Sequence, residues 1–271
     1  MPSGENSGGA PAWTVETVSV CGGQIPVARS GSGAPVVVFP RDTGHAPKNA
    51  FLDLLAREFT VYHPRFPGFH GGGAPAEWDW MANVRDLAVL QHQLLLGLGL
   101  ESPALVGLGF GGWVAAELAT MSSPGALALI APMGIQPVNG YIYDQFLFST
   151  ESYVRTCFAD QAIFDDLYGR EPEYEQLDAW ETDREMTSRL AWKPYMYNRS
   201  LPRLLGGVSA PALVVWGDAD QVVPAECGEL YRAALPHASL EFVPESGHAV
   251  DLEQPAALAA RVIPFLKRAT R

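Results

Sequence analysis

The chain of 271 residues is 48% apolar, so it is long enough to bury a large core. Its 18 basic and 30 acidic residues give a net charge of −12, which argues against nucleic acid and anionic membrane surfaces as partners. The three cysteines are far apart and show no C-x-x-C spacing, which favours a reduced compartment over a disulfide framework.

Residues 1–12 open the chain with a polar sequence rich in glycine, serine and proline, and we expect a disordered lead-in there. This segment has neither the basic region nor the apolar core of a signal peptide. No later segment offers about 18 uninterrupted apolar residues, so we expect no membrane span. The sequence therefore predicts a cytoplasmic protein.

The first folded elements are predicted to be strands. Residues 13–30 alternate between apolar and polar side chains and break at Gly22-Gly23, which predicts a hairpin. Residues 35–39 are apolar throughout, which is typical of a buried parallel strand.

Two helices and a further strand are predicted before the centre of the chain. Residues 51–57 and 80–98 have helical patterns, and residues 59–63 form a strand candidate between them. His45, His63 and His70 lie in the loops and strand of this region. They have neither an i, i+4 histidine pair nor an acidic companion, so we predict no metal ion.

Residues 103–121 are the segment around which we interpret the chain: an apolar run, a glycine-rich corner and a helix-forming sequence. Gly107, Gly109 and Gly112 match the dinucleotide fingerprint G-x-G-x-x-G, but the next strand lacks a carboxylate that could hold a ribose. Gly107 and Gly111 also match the flanking glycines of the nucleophile elbow G-x-S-x-G, a strained turn that lifts a side chain above the sheet. Gly109 stands where that motif has serine.

Two later strand candidates carry an acid and a histidine. Residues 211–220 end in Asp220 within a G-x-x-D-x-x-x-P pattern, and residues 240–250 contain Gly247-His248 within an S-G-H pattern. Elbow, acid and histidine follow the order found in α/β-hydrolases. With these motifs the chain resembles the α/β-hydrolase family from about residue 13 to its C-terminus.

The resemblance implies an α/β-hydrolase fold with a mostly parallel central sheet flanked by helices. Residues 13–134 and 209–271 are the implied core, and residues 135–208 the implied helical lid. The resemblance also implies that Asp220, rather than the neighbouring Asp218, is the acid. His248 would be the base of a triad whose first member is missing.

The loop after the apolar strand departs from the family pattern a second time. Relatives use backbone N–H groups there for an oxyanion hole, whereas this chain has Pro40-Arg41-Asp42, and proline has no N–H. A carboxylate at Asp42, if it points inward, would repel a developing oxyanion. Arg41 either binds an anionic group of a ligand or pairs with Asp42 at the surface.

The implied lid is rich in aromatic side chains, with thirteen of the chain's 28 in residues 135–205. Some of them must pack the lid's own core, but the surplus favours a small apolar or aromatic ligand beneath it. We therefore predict that Trp113, Tyr141, Trp192 and Tyr195 bind the substrate.

The missing serine decides which chemistry remains, because its removal from such a triad costs on the order of 10⁶ in kcat. The leading hypothesis is an enzyme in which His248, oriented by Asp220, moves protons without an acyl-enzyme. The N–H of Phe110 would stabilise negative charge, and a water or the substrate would occupy the space at Gly109. Elimination, cyclisation, C–C cleavage or direct water attack on a small carbonyl compound would use these groups.

Two alternatives stay open: a non-catalytic protein that binds a small ligand, and a serine ester hydrolase inactivated at Gly109. Neither of them, nor the leading hypothesis, calls for a cofactor. The sequence does not decide the oligomeric state, so a homo-oligomer also stays open.

Overall fold

The computed structural model describes residues 11–44, 46–70 and 76–269. Most of the predicted lead-in, and His45, therefore lie outside the described residues. The strands are β1 (Thr14–Val20), β2 (Gly23–Ser30), β3 (Pro35–Phe39), β4 (Thr60–Pro64), β5 (Ala104–Leu108), β6 (Ala126–Ile130), β7 (Ala212–Gly217) and β8 (Ala238–Val243). The helices are α1 (Ala50–Ala56), α2 (Val84–Gly97), α3 (Phe110–Ala119), α4 (Thr150–Thr156), α5 (Gln161–Tyr168), α6 (Tyr174–Ala191), α7 (Leu201–Leu204), α8 (Glu226–Ala234), α9 (Val250–Glu253) and α10 (Pro255–Ala269).

The described strands form one sheet in the order β1-β2-β4-β3-β5-β6-β7-β8. The hairpin of β1 and β2 is antiparallel and joins β4 antiparallel, while all other neighbours are parallel. The predicted α/β fold with a mostly parallel sheet is therefore confirmed. In such a sheet the carboxyl ends of the parallel strands share one edge, which is where ligands bind.

The central strands are buried on both faces of the sheet. Consecutive residues of β5, such as Leu105 and Val106, belong to two different clusters of buried side chains. Because successive side chains of a strand point to opposite faces, the sheet separates two cores. Helices α1 and α10 pack in one core, and α2 and α3 in the other.

Three predicted boundaries are wrong by a few residues. The helix expected from residue 80 begins at Val84, because the side chain of Asn83 caps it by accepting the N–H of Asp86 at 3.0 Å. The strand expected to end at residue 220 ends at Gly217, and the one expected to end in Gly247-His248 ends at Val243. In both cases the chain leaves the sheet before the acid and the histidine, so these side chains lie on loops.

Residues 135–208, which we call the insertion, separate β6 from β7 and contain α4 to α7. Many of its aromatic residues pack against each other. The rings of Phe158, Phe164, Tyr168 and Trp180 lie 5.0 to 6.3 Å apart between centroids. These side chains form the insertion's own core. No described helix is long and apolar enough to cross a lipid bilayer.

Candidate functional site

The elbow lies between β5 and α3. Gly109 has φ 52° and ψ −114°, a conformation that residues with a side chain rarely adopt. A Cβ at Gly107 would lie 2.4 Å from the carbonyl oxygen of Gly111, and a Cβ at Gly111 would lie 2.3 Å from that of Pro40. Both flanking positions therefore need glycine for the turn to close.

Asp220 and His248 meet beside this turn. The Nδ1 atom of His248 lies 2.9 Å from Oδ2 of Asp220, and both side chains are 1% exposed. The other oxygen of Asp220 accepts the backbone N–H groups of Val222 and Val223 at 2.8 and 3.0 Å. Asp218 is exposed, so the geometry favours Asp220 as the partner of the histidine.

The second ring nitrogen of His248 faces the elbow. Nε2 lies 3.0 Å from the position that a Cβ at Gly109 would occupy. It is buried and has no hydrogen-bond partner among the described residues. The imidazole is therefore held in one orientation with its free nitrogen directed at the glycine.

Arg41 lies in the interior, so the alternative in which it pairs with Asp42 at the surface is wrong. Its side chain is 4% exposed, forms an ion pair with Asp251 and donates from Nη1 to the backbone carbonyl of His248 at 2.8 Å. Asn49 donates to the second oxygen of Asp251 at 2.8 Å. Burial alone lowers the pKa of Arg41, but the adjacent carboxylate of Asp251 outweighs this effect and the pKa is raised.

The predicted open space at Gly109 is also wrong. A Cβ there would meet Nη1 of Arg41 at 3.4 Å and its Cγ at 3.8 Å, in addition to the imidazole of His248. Both side chains are anchored, one by Asp251 and the other by Asp220. A nearby cavity lined by Arg41 and Asp251 measures only about 30 Å³, room for about one water.

Asp42 connects the loop after β3 with the insertion. Its side chain is buried and accepts the hydroxyl of Tyr153 at 2.6 Å and the amide of Gln145 at 3.3 Å. Burial, followed by the charge of Asp42, raises the pKa of Tyr153 well above its ordinary value. Tyr153 therefore stays protonated and donates to the carboxylate.

Glu253 connects the histidine loop with the insertion. Its carboxylate accepts the backbone N–H groups of Gly247, Ala159 and Asp160 at 2.6, 2.8 and 2.9 Å. Three such bonds fix the residue before His248 against the turn between α4 and α5.

Acidic groups outnumber cations around the site. The thiol of Cys157 lies within electrostatic reach of Asp42, Asp220, Glu253 and Arg41. Burial, followed by the charge of Asp42, raises the pKa of this thiol well above its usual range. Cys157 is therefore not an activated nucleophile, and a neutral ligand fits this environment better than an anion.

A further carboxylate of the insertion contacts the core. Asp183 of α6 accepts the backbone N–H of His70 at 2.5 Å, and its burial raises its pKa from 3.8 to about 7. Burial also lowers the pKa of His63 to about 4 and that of His70 to about 3, so both rings are neutral at pH 7. Within the described ranges no three histidine, cysteine, aspartate or glutamate side chains are grouped to hold a metal ion.

The four residues predicted to bind substrate are not gathered at the dyad. Trp113 is buried and donates to Glu117 at 3.2 Å. Tyr141 and Trp192 are 79% and 55% exposed. The hydroxyl of Tyr195 donates to the carbonyl of Tyr143 at 2.6 Å.

Of these four, Tyr195 has the most direct connection to the site. Its hydroxyl accepts the backbone N–H of Gln145 at 3.0 Å, and the Gln145 side chain contacts Asp42. The substrate-binding role of the four residues stays a prediction, and an aromatic-rich sequence does not reveal which of its rings form the segment's own core or its surface.

Sequence reasoning also missed five residues that shape the site: Asp251, Glu253, Asn49, Tyr153 and Asp183. Two of them, Asp251 and Glu253, follow His248 closely in the chain, and this proximity was the signal available. The other three come from distant segments and have no such signal.

Comparisons with known proteins show which sequences this chain resembles. The sequence profile of the alpha/beta hydrolase family matches residues 25–261. A dihydrolipoyllysine-residue acetyltransferase component of an acetoin cleaving system from Cupriavidus necator is 28% identical over 87% of this chain and 64% of its own length. This chain therefore spans less than two thirds of that relative. A 2-hydroxy-6-oxononadienedioate/2-hydroxy-6-oxononatrienedioate hydrolase from Cupriavidus pinatubonensis is 26% identical over 88% of each chain.

Solved structures share the architecture. A membrane phospholipase A superposes with a TM-score of 0.77 at 20% identity, over 95% of this chain and 86% of that one. A meta-cleavage product hydrolase from Pseudomonas fluorescens superposes with a TM-score of 0.76 at 17% identity, over 94% of this chain and 98% of the other. At these identities the likeness shows the fold alone.

Proposed function

The chain belongs to the alpha/beta hydrolase family, and from this premise we propose that it is an enzyme that works without a serine nucleophile, through proton transfer at His248. One observation carries the proposal: Nε2 of His248 is buried, unpaired among the described residues and directed at Gly109. Leaving a buried polar atom unpaired costs about 1 to 3 kcal/mol. Such an atom is typical of a site that binds or reacts.

Each group of the site has a role in this chemistry. His248 takes a proton from a carbon next to a carbonyl or from an attacking water. Asp220 holds the Nδ1–H of the ring and stabilises the imidazolium that forms. The N–H of Phe110 begins α3 and has no partner within the helix, so it is available to a developing oxyanion. Arg41 adds a fixed positive charge at the same place.

The surroundings of the dyad favour a small neutral carbonyl compound as substrate. The carboxylates of Asp42, Asp220 and Glu253 act on the buried thiol of Cys157, and Arg41 is the one cation among the described groups that act on it. The relative named as a hydrolase of an oxononadienedioate supports the carbonyl group of the substrate, since that name includes an oxo group, but its two carboxylates differ from the neutral substrate proposed here. Elimination, cyclisation, C–C cleavage and direct water attack remain the reactions within this proposal.

Substrate entry requires movement, because Nε2 of His248 is buried in the described structure. We propose that the insertion opens access to this nitrogen by separating from the loop that carries Asp42. The contacts of Asp42 with Tyr153 and Gln145 are the ones that must break.

The burial of Nε2 favours a second candidate, a protein without catalytic activity that binds a small ligand elsewhere. In that case His248 and Asp220 have no catalytic role, and Arg41 keeps its contact with the backbone of His248 beside Gly109 at all times. The two candidates differ in whether His248 ever reaches a substrate proton.

Exchange of ketone α-protons in D₂O, followed by NMR for a panel of small aryl ketones, separates the candidates. We expect the wild type to catalyse exchange and His248→Gln to lower the rate by about 10² to 10⁴. His237→Gln is the matched control, because His237 is exposed, and it should leave the rate unchanged. Equal rates for His248→Gln and the wild type would refute the proposal. Ketone binding without exchange in the wild type would support the non-catalytic candidate.

A further inference from the structure

A second cavity, which we call the α2–α3 cavity, lies between these two helices and the chain that follows α6. It measures about 270 Å³. Its apolar walls include Val84, Trp113, Leu190 and Pro194. His248, Asp220 and Arg41 are not among its lining residues, so it is a different place from the dyad.

The floor of the α2–α3 cavity is a fixed polar network around Glu117. This carboxylate is fully buried and accepts hydrogen bonds from Arg85 at 3.0 Å, Trp113 at 3.2 Å and Asn198 at 2.6 Å. The donors come from α2, from α3 and from the segment after α6. Because each donor belongs to a different element, these hydrogen bonds hold the three segments that line the cavity together at one carboxylate.

The charges of the lining do not cancel. Glu117 and Arg85 form an ion pair, and Lys193 is exposed with no ion pair among the described residues. The cavity therefore has one positive charge in excess, on a protein whose net charge is −12. The side chain of Arg85 is 44% exposed, so its remaining N–H groups are also accessible. A single anionic group of a ligand would balance this excess positive charge.

We propose that the α2–α3 cavity binds a small monocarboxylate with an apolar body of about one aromatic ring. Its carboxylate contacts Lys193 and Arg85, and its body packs on Trp113, Leu190 and Pro194. Pockets for larger, drug-sized ligands measure about 300 to 1,000 Å³, so the cavity suits a ligand smaller than those. Apolar walls with a few convergent polar groups are the usual composition of such sites.

The α2–α3 cavity is also connected to the elbow. The ring of Trp113 packs edge to face against Phe110, with the centroids 5.9 Å apart. Phe110 is the first residue of α3 and follows Gly109 directly. A ligand that packs against Trp113 therefore contacts the helix that carries the elbow. The binding itself does not depend on the proposed proton-transfer activity.

Benzoate and its neutral counterpart benzamide test the site by isothermal titration calorimetry on the full chain. We expect the wild type to bind benzoate more tightly than benzamide. Replacing Lys193→Met should weaken benzoate binding by about two- to fivefold, as expected for one exposed charge pair, and leave benzamide unchanged. Lys193→Glu should weaken benzoate further, and added salt should reduce the difference between the two ligands.

Two further variants locate the binding. Arg57→Met is the matched control, since Arg57 is an exposed cation at the end of α1, and benzoate affinity should not change. His248→Ala should keep benzoate binding, which separates this proposal from the proposed activity. The proposal is overturned by absence of benzoate binding, by equal affinity in Lys193→Glu and the wild type, or by loss of binding in His248→Ala.

Discussion

Replacing Gly109 by serine tests whether the site is a disabled esterase or a remodelled one. At φ 52° a side chain carries backbone strain of about 1 to 3 kcal/mol. Its Cβ would lie 3.0 Å from Nε2 of His248 and 3.4 Å from Nη1 of Arg41. Neither neighbour moves freely, because His248 is held by Asp220 and Arg41 by Asp251.

We therefore expect Gly109→Ser to lose about 2 to 4 kcal/mol of unfolding free energy and to gain no esterase activity. Urea unfolding measures the first quantity, and release of p-nitrophenol from p-nitrophenyl acetate measures the second. Gly109→Ala is the matched control, because it adds the same Cβ without a nucleophile. It should lose the same stability as Gly109→Ser.

The serine variant has one result that would refute this reasoning. A working triad would make Gly109→Ser hydrolyse the ester faster than Gly109→Ala by on the order of 10³ or more, with a burst of acyl-enzyme. That outcome would mean that His248 and Arg41 yield to the hydroxyl, and the site would then be a recently disabled esterase.

Two further predictions concern buried charges. Arg41→Leu leaves Asp251 buried without its cation and should cost about 3 to 5 kcal/mol in urea unfolding. The double variant Arg41→Leu/Asp251→Leu should recover most of this loss, and additive losses would contradict the ion pair. Asp183 has a pKa of about 7 in the folded chain against an ordinary 3.8, so the folded state binds the proton more tightly. The contribution of Asp183 to the unfolding free energy is full below about pH 4 and falls by on the order of 2 to 4 kcal/mol as the pH rises to 7. Asp183→Asn should remove this dependence of the unfolding free energy on pH. Equal pH dependence in Asp183→Asn and the wild type would refute the prediction.

Local pattern was enough to predict the elbow, the acid and the histidine. Gly109 and Asp220 follow buried apolar strands, His248 follows the partly exposed edge strand β8, and parallel strands bring their carboxyl ends to one edge of the sheet. The resemblance to the family's G-x-x-D-x-x-x-P pattern also favours Asp220 over Asp218, which is exposed. These features depend on neighbours in the chain, so a single sequence reveals them.

Which other side chains lie at the site depends on contacts between residues far apart in the chain, and a single sequence does not reveal these contacts. Arg41 and Asp251 are 210 residues apart, and Asp42 and Tyr153 are 111 apart. In the sequence each is an ordinary polar residue of a loop or helix. Only the folded chain shows that Arg41 pairs with Asp251 in the interior beside Gly109 rather than with Asp42 at the surface.

The residues around Gly109 indicate that this glycine belongs to a set of interdependent residues, which also includes Arg41, Asp251 and Asn49. A Cβ at Gly109 would lie 3.0 Å from Nε2 of His248 and in van der Waals contact, at 3.4 Å, with Nη1 of Arg41. The buried charge of Arg41 needs Asp251, and the second oxygen of Asp251 needs Asn49, which also caps α1 by accepting the N–H groups at its start. Because a buried charge without a partner costs about 3 to 5 kcal/mol, Arg41 and Asp251 are stable only together. Inactivation of an esterase at Gly109 alone therefore accounts for one residue of this set and leaves the ion pair unexplained.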